Sequence, residues 1–370
     1  MGTKFIAGLL LTALLSPGLS RAQGNWPGPL RDKTHRQISL GAAASPALSV
    51  RAEFSSVDTA NAADPDYMNG FNLRRDVFSR ALALQRQGLK VLVAWDIDLT
   101  LGTPLHPGSR VSLGSDPWWN EQSDALMKVF TAAYGPRKDA GGKLLWPTAV
   151  QSLYDARYAQ LIQLNNALHE QIAIEPVEAF VPYAIKQAQA AGVAMMAVTS
   201  RGPDMEGATQ QDLAVDVEVD FSRSAPGGPG FSMVNFKINE KARLSTYRKG
   251  VLQTSGQNKG EQLLYVFSAA GYRPDVVFFI DDTVKNTKDV FLALKSADIA
   301  VHTVRYGSED PRVEEYRAAG SQQPCVAQAQ LRAFRQTGRF PPDAGVNGAK
   351  CDFSQNLNLI YGTEAPSAAN

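Results

Sequence analysis

Short, unbroken apolar runs that stop at a carboxylate or a hydroxyl constrain this chain more than any other feature. In "KVLVAWDIDLT" (Lys90 to Thr100) the apolar residues Val91 to Trp95 are followed by Asp96 and Asp98. "GVAMMAVTS" (Gly192 to Ser200) ends in Thr199 and Ser200 with Arg201 next, and "DVVFFIDD" (Asp275 to Asp282) ends in Asp281 and Asp282. "VEVDF" (Val217 to Phe221) and "IAVHTVRY" (Ile299 to Tyr306) are further strand-type runs. A strand with one wet face alternates apolar and polar residues, whereas a continuous apolar run belongs to a strand covered on both faces. Helical spacing separates several of the runs. It is carried by Val77, Ala81 and Leu84 within Leu73 to Gln87, and by Leu153, Tyr154, Tyr158, Leu161 and Leu164 within Ala149 to Glu170. Doubly buried strands alternating with helices predict an α/β fold of three layers, with a largely parallel sheet between two layers of helix. No strand-type run stands out between 105 and 180, so a mostly helical block is expected there, inserted just after the first sheet strand.

The chain has 370 residues, enough for one large domain or two ordinary ones. Its 37 basic residues balance 36 acidic ones, which removes any global electrostatic argument for nucleic acid or an anionic membrane as partner. Lys4, the apolar run Phe5 to Leu15 and the small residues of Ser20-Arg21-Ala22 form the three-part pattern of a secretory signal. Cleavage is expected after Ala22, giving a periplasmic or secreted protein with no membrane anchor. Residues 23–70 read as an irregular segment. Its "DPDYMNG" (Asp64 to Gly70) lacks the ligand spacing of a calcium loop and is taken as a turn. The expected organisation is a core of 71–104 and 181–320, a helical cap of 105–180 and a C-terminal extension of 321–370. Cys325 and Cys351, the two cysteines, are expected to pair in an oxidising compartment. With four scattered histidines they do not make a zinc site.

Open parallel sheets bind ligands at the carboxyl ends of their strands. Asp96, Asp98 and Thr100 follow one such run, Thr199, Ser200 and Arg201 a second, and Asp281 and Asp282 a third. Lys259, in "SGQNKGEQLLYVF" (Ser255 to Phe267), begins an amphipathic helix. Each group alone has a plainer reading, as a solvated turn, a helix cap or a wet helix face. Carboxylates at the end of a buried run are costly unless paired or bound to a cation, and their occurrence together points to one crevice.

In this order the groups resemble the haloacid dehalogenase superfamily: Asp96-Ile97-Asp98-Leu99-Thr100, then Thr199, then Lys259, then Asp281-Asp282. "DIDLTL", "LGSDPWW", "SGQNKGE" and "FFIDDTVKN" are similar to a bacterial branch of that superfamily without an assigned function. The resemblance covers roughly residues 70 to 320. It implies an α/β/α core with a cap between the first and second motifs, and Mg²⁺ held by Asp96, Asp281 and the backbone carbonyl of Asp98, with Asp282 supporting or sharing the role of Asp281. Asp96 is implied as nucleophile and Asp98 as proton donor and acceptor. Thr199, with Ser200 and Arg201, would contact the phosphoryl group, and Lys259 would neutralise it. The second acid, Asp98, implies phosphate monoester hydrolysis through an aspartyl-phosphate. Transfer to another alcohol, or a binding protein without turnover, is the alternative. The substrate would be a small phosphorylated molecule or a phosphoprotein. Asn286 is expected to order the last motif's loop. Trp118 and Trp119 would pack in the core or line the entrance, and His106 is a poor candidate for catalysis.

Overall fold

The computed structural model describes residues 72–104, 115–139, 142–340 and 360–361. The signal segment, the irregular 23–70 stretch with its Asp64 to Gly70 turn, His106 and Cys351 lie outside the described residues. Among the described residues no helix is long and apolar enough to cross a membrane.

A sheet of seven strands organises the molecule. Strand β1 (Val91–Trp95) is its centre. A short antiparallel ribbon, β2 (Gly102–Pro104) with β3 (Ile174–Pro176), stands apart from it. The remaining sheet strands are β4 (Ala194–Thr199), β5 (Met233–Phe236), β6 (Ser245–Arg248), β7 (Val251–Gln253), β8 (Val276–Asp281) and β9 (Ala300–Arg305). The order across the sheet is β5-β6-β7-β4-β1-β8-β9. Pairings from β7 through β9 are parallel, and the β5/β6/β7 edge is antiparallel. The fold is thus the expected three-layer α/β/α arrangement with an antiparallel edge added.

The alternation of side chains along β1 builds both layers. Val91, Val93 and Trp95 enter one apolar cluster, with Val77 and Phe78 from a π-helical turn (Leu73–Ser79), Ala81 and Leu84 from α1 (Arg80–Arg86), and Ile185 and Ala188. Phe78 stacks on Trp95 at 5.5 Å between ring centroids. Leu92 and Ala94 enter a second cluster on the opposite face, with Leu263, Val266, Val290 and Leu294. That period of two is why an unbroken apolar run was required: neither face of β1 meets water.

The helical block leaves the core through β2 and returns through β3. Between them run α2 (Asp116–Tyr134) and α3 (Thr148–His169). Ser115 caps α2 by accepting from the Trp118 amide. The strand β3 lies inside the 105–180 block that was expected to hold none, because three residues paired with β2 are too few to form a recognisable apolar run. The chain then continues through α4 (Val181–Ala190) into β4, and α5 (Glu206–Gln211) follows β4. The "VEVDF" segment is not a strand. Glu218 takes a left-handed φ of 58°, which interrupts the extended run, while Val217, Val219 and Phe221 still bury against the core.

On the second face lie α6 (Lys259–Ala269) and α7 (Val284–Ser296), and after β9 come α8 (Asp310–Arg317) and α9 (Gln323–Thr337). Among the described residues of the C-terminal extension none joins the sheet. Ala327, Leu331 and Phe334 of α9, with Ile360, pack on Trp118 of α2 and on Leu161, Leu164 and Leu168 of α3. Cys325 is buried on α9.

Candidate functional site

The site grows out of strand register. Trp95 of β1 is level with Ile280 of β8, so the next residues, Asp96 and Asp281, lie side by side, with the Asp96 amide donating to the Ile280 carbonyl at 2.8 Å. By alternation both continue the face covered by α6 and α7. Helix α6 begins with Lys259 and is capped by Asn258, whose Oδ1 accepts from the amides of Gly260 and Glu261. A cation in the first turn opposes the helix dipole. The compensation is local: Lys259 Nζ lies 2.7 Å from Asp96 Oδ1 and 2.7 Å from Asp281 Oδ2. Lys259 and Asp281 are fully buried and Asp96 nearly so. Burial, then the Asp281 charge, pushes the Asp96 carboxyl well above the usual range despite Lys259. Burial alone would lower the Lys259 ammonium, but Asp281 and Asp96 outweigh it and raise it.

Asp281 also fixes the turn into α7. Its Oδ1 accepts from the Thr283 amide at 2.8 Å, and Asn286 Nδ2 donates to both of its oxygens. The Asp282 amide donates to Thr100 Oγ1 at 3.0 Å, tying this turn to the one after β1. Asp96, Asp281 and Asp282 offer carboxylate oxygens within 4.8 Å of one another, so this cluster can hold a metal ion. Oxygen donors of this kind suit a hard divalent cation.

Asp98 goes elsewhere. The chain turns tightly after Asp96: the Ile97 carbonyl accepts from Thr100, Leu101 and Gly102, and Leu99 takes a left-handed φ of 58°. Gly102 is required at the turn's exit, because a Cβ there would come 2.6 Å from Ile174 Cδ1. The turn presents Asp98 to Arg201, which grips it through two bonds, Nε to Oδ2 at 3.0 Å and Nη2 to Oδ1 at 2.7 Å. Arg201 is itself buried and held by Asp212 at 2.6 Å and Thr209 at 3.2 Å. Burial would raise the Asp98 carboxyl, but the Arg201 charge and bonds outweigh it and hold it below the usual range. Burial raises Asp212 to about 6, against the pull of Arg201. The guanidinium expected at a phosphoryl group is therefore engaged by protein carboxylates. The Arg201 amide donates to Thr199 Oγ1 at 3.1 Å, and the Thr199 carbonyl receives both the amide and the hydroxyl of Thr254.

These groups border a cavity of about 690 Å³ that also takes in the helical insertion. Asp96, Asp98, Ser200, Arg201, Asp282 and Asn286 line one part of it. Trp119, Tyr158, Asn165, Asn166 and His169 line another, and Asn235, Lys237 and Arg243 come from the β5–β6 edge. The two tryptophans divide: Trp118 is buried in the core of the insertion, while Trp119 meets the cavity, edge-on to Tyr158 at 5.8 Å. Asn165 and Asn166 have buried Oδ1 atoms with no hydrogen-bond partner. Asp212, Thr209, Asn165, Asn166 and Arg243 are the residues that sequence reasoning missed. Asp212 and Arg243 read as solvated charges, and only the fold brings them to the site.

No curated protein matches the chain. Residues 80–337, the span from α1 to the end of α9, match the family described as "Protein of unknown function (DUF2608)", and the chain belongs to that family.

Proposed function

We propose that this protein is a Mg²⁺-dependent phosphatase of the haloacid dehalogenase type, acting on phosphate monoesters outside the cytosol through an aspartyl-phosphate. The observation that carries the reading is the Asp96–Lys259–Asp281 bridge beside Asp282, at the carboxyl ends of adjacent parallel strands and beside a cavity large enough for a small ester. Mg²⁺ at Asp96, Asp281 and Asp282 would screen those carboxylates from an anionic substrate and orient its phosphoryl group.

The remaining work falls to side chains. Asp96 attacks phosphorus and expels the alcohol. Lys259, fixed between Asp96 and Asp281, works against the rise that burial and Asp281 impose on the attacking carboxyl and offsets charge on the transferring oxygens. Thr199, whose Oγ1 already accepts from the Arg201 amide, can turn its own hydroxyl proton toward a phosphoryl oxygen. Asp98 protonates the leaving oxygen and later accepts a proton from water. For that it must release at least one of its two Arg201 contacts, so Arg201, anchored by Asp212, is assigned to positioning Asp98.

Release of inorganic phosphate from a panel of monoesters tests the reading. Chelation should abolish release and Mg²⁺ should restore it, with Asp96→Asn inactive. Full turnover after exhaustive chelation, or in Asp96→Asn, refutes it.

A further inference from the structure

The acids occupy only part of the cavity, and the part formed by the β5–β6 edge has the opposite charge. Lys237 and Arg243 both line it, both are exposed, and among the described residues neither side chain pairs with a carboxylate. An unpaired surface lysine alone would mean little. Arg243 differs, because its backbone is fastened to the loop that carries Lys259. Its amide donates to Gln257 Oε1 at 3.0 Å and its carbonyl accepts from Gln257 Nε2 at 3.1 Å. The next carbonyl, of Leu244, accepts from Ser255 Oγ at 2.6 Å. The same Gln257 amide reaches Ser245 Oγ at 3.0 Å and the Thr254 carbonyl at 2.8 Å. The Arg243 side chain lies over Gly256, where a Cβ would sit 3.5 Å from Nη2. Its charge reaches Tyr158 of the insertion, where it opposes the rise that burial imposes on the phenol. A guanidinium anchored this way, open to a ligand cavity and without a protein anion, is suited to bind a carboxylate or phosphate through paired N–H groups.

We propose that Arg243, assisted by Lys237, forms a second anion subsite, so that the natural substrate is a phosphate ester bearing a further carboxylate or phosphate group. The inference rests on the phosphatase reading for the first anion's role, with that group at the Asp96 end. The subsite itself is a property of the β5–β6 edge. A ligand with an anion at each end matches the charge of both ends of the cavity, whereas a neutral tail would leave Arg243 facing water.

The test is calorimetric and needs no turnover. Mg²⁺-loaded full-length protein is titrated with ω-carboxyalkylphosphonates of increasing chain length and with alkylphosphonates of the same lengths. At one chain length or more the carboxylate should tighten binding about tenfold, the scale of one charge-assisted hydrogen-bonded contact. In Arg243→Gln/Lys237→Gln that gain should vanish while alkylphosphonate binding and melting temperature stay unchanged. No gain at any length, or a gain that survives in the double variant, overturns the subsite. Hydrolysis of para-nitrophenyl phosphate, measured in parallel, reports on the phosphatase reading separately. Its absence with the calorimetric gain intact would refute the reaction and leave the subsite standing.

Discussion

Replacing Lys259 by Met removes one charge and almost no volume, which makes it a direct probe of the buried carboxylate pair. Met has one side-chain heavy atom fewer, but its larger sulfur keeps the volume similar, so the packing of α6 should persist. What disappears is the cation lying 2.7 Å from Asp96 and 2.7 Å from Asp281, both buried. Removing one partner of a buried ion pair typically costs about 3–5 kcal/mol, because the charge left behind is uncompensated. An unfolding entropy of about 2.1 cal/mol/K per residue over roughly 260 described residues converts this to a fall in Tm of about 5–9 °C. The fall should depend on pH in a fixed direction. Without Lys259 the Asp96 carboxyl, already raised by burial and the Asp281 charge, is pushed further above its unfolded value, so the folded state binds more protons there than the unfolded chain. Stability then falls as pH rises, and the deficit against wild type is largest near neutrality and shrinks as pH drops toward the raised folded pKa. Scanning fluorimetry of both proteins in chelator, from about pH 8 down to about pH 5, gives the comparison on the alkaline side of the ordinary carboxylate range. A Tm within about 1 °C of wild type across that range would mean that Lys259 does not compensate these acids, contrary to the scale expected for a buried pair.

Two further outcomes follow from the same neighbourhood and from the tail. Gly260→Ala should lower stability by about 1–3 kcal/mol, the usual cost of overpacking, since a Cβ there would stand 2.6 Å from the Asp289 carbonyl oxygen and from Ala293 Cβ. A melting temperature equal to wild type would show that α6 and α7 have room to separate. Cys325 and Cys351 should be recovered as one cross-linked peptide pair from protein matured in an oxidising compartment, a link that contributes about 3 kcal/mol for a loop of this size. Two freely alkylated thiols in unreduced native protein would rule the bridge out.

The legible parts of this molecule were those with a local signature. Val91–Trp95, Ala194–Thr199, Val276–Asp281 and Ala300–Arg305 stand within the runs read as strands, because double burial demands continuous apolar sequence. The neighbouring positions of Asp96, Lys259, Asp281 and Asp282 also followed from strand ends and one helix start. The edge strands β5, β6 and β7 were not legible. They are three or four residues long, and β5 carries Asn235 at a left-handed φ of 51°, so no period of two develops. The Asp98–Arg201–Asp212 clamp was invisible for another reason. Asp98 and Arg201 are 103 positions apart, and Asp212 sits in "TQQDLAVD", which has the polarity of a solvated helix. Buried charge pairs leave no trace in composition; only the three-dimensional neighbour distinguishes them from surface charges.

The apolar cluster joining α9 and Ile360 to α3 has a consequence in time rather than in space. One side of α3 gives the cavity Tyr158, Ile162 and Asn165, while Leu161, Leu164 and Leu168 wait for Ala327, Leu331 and Phe334 from the far end of the chain. A chain made from its N-terminus can set β1 and β4 side by side long before those residues emerge. The acids at the strand ends can therefore assemble early, but the wall opposite them gains its backing only with α9. Synthesis must pass α9 before this protein has a completed chamber, and a nascent chain stalled before residue 323 would carry the chemistry without the enclosure.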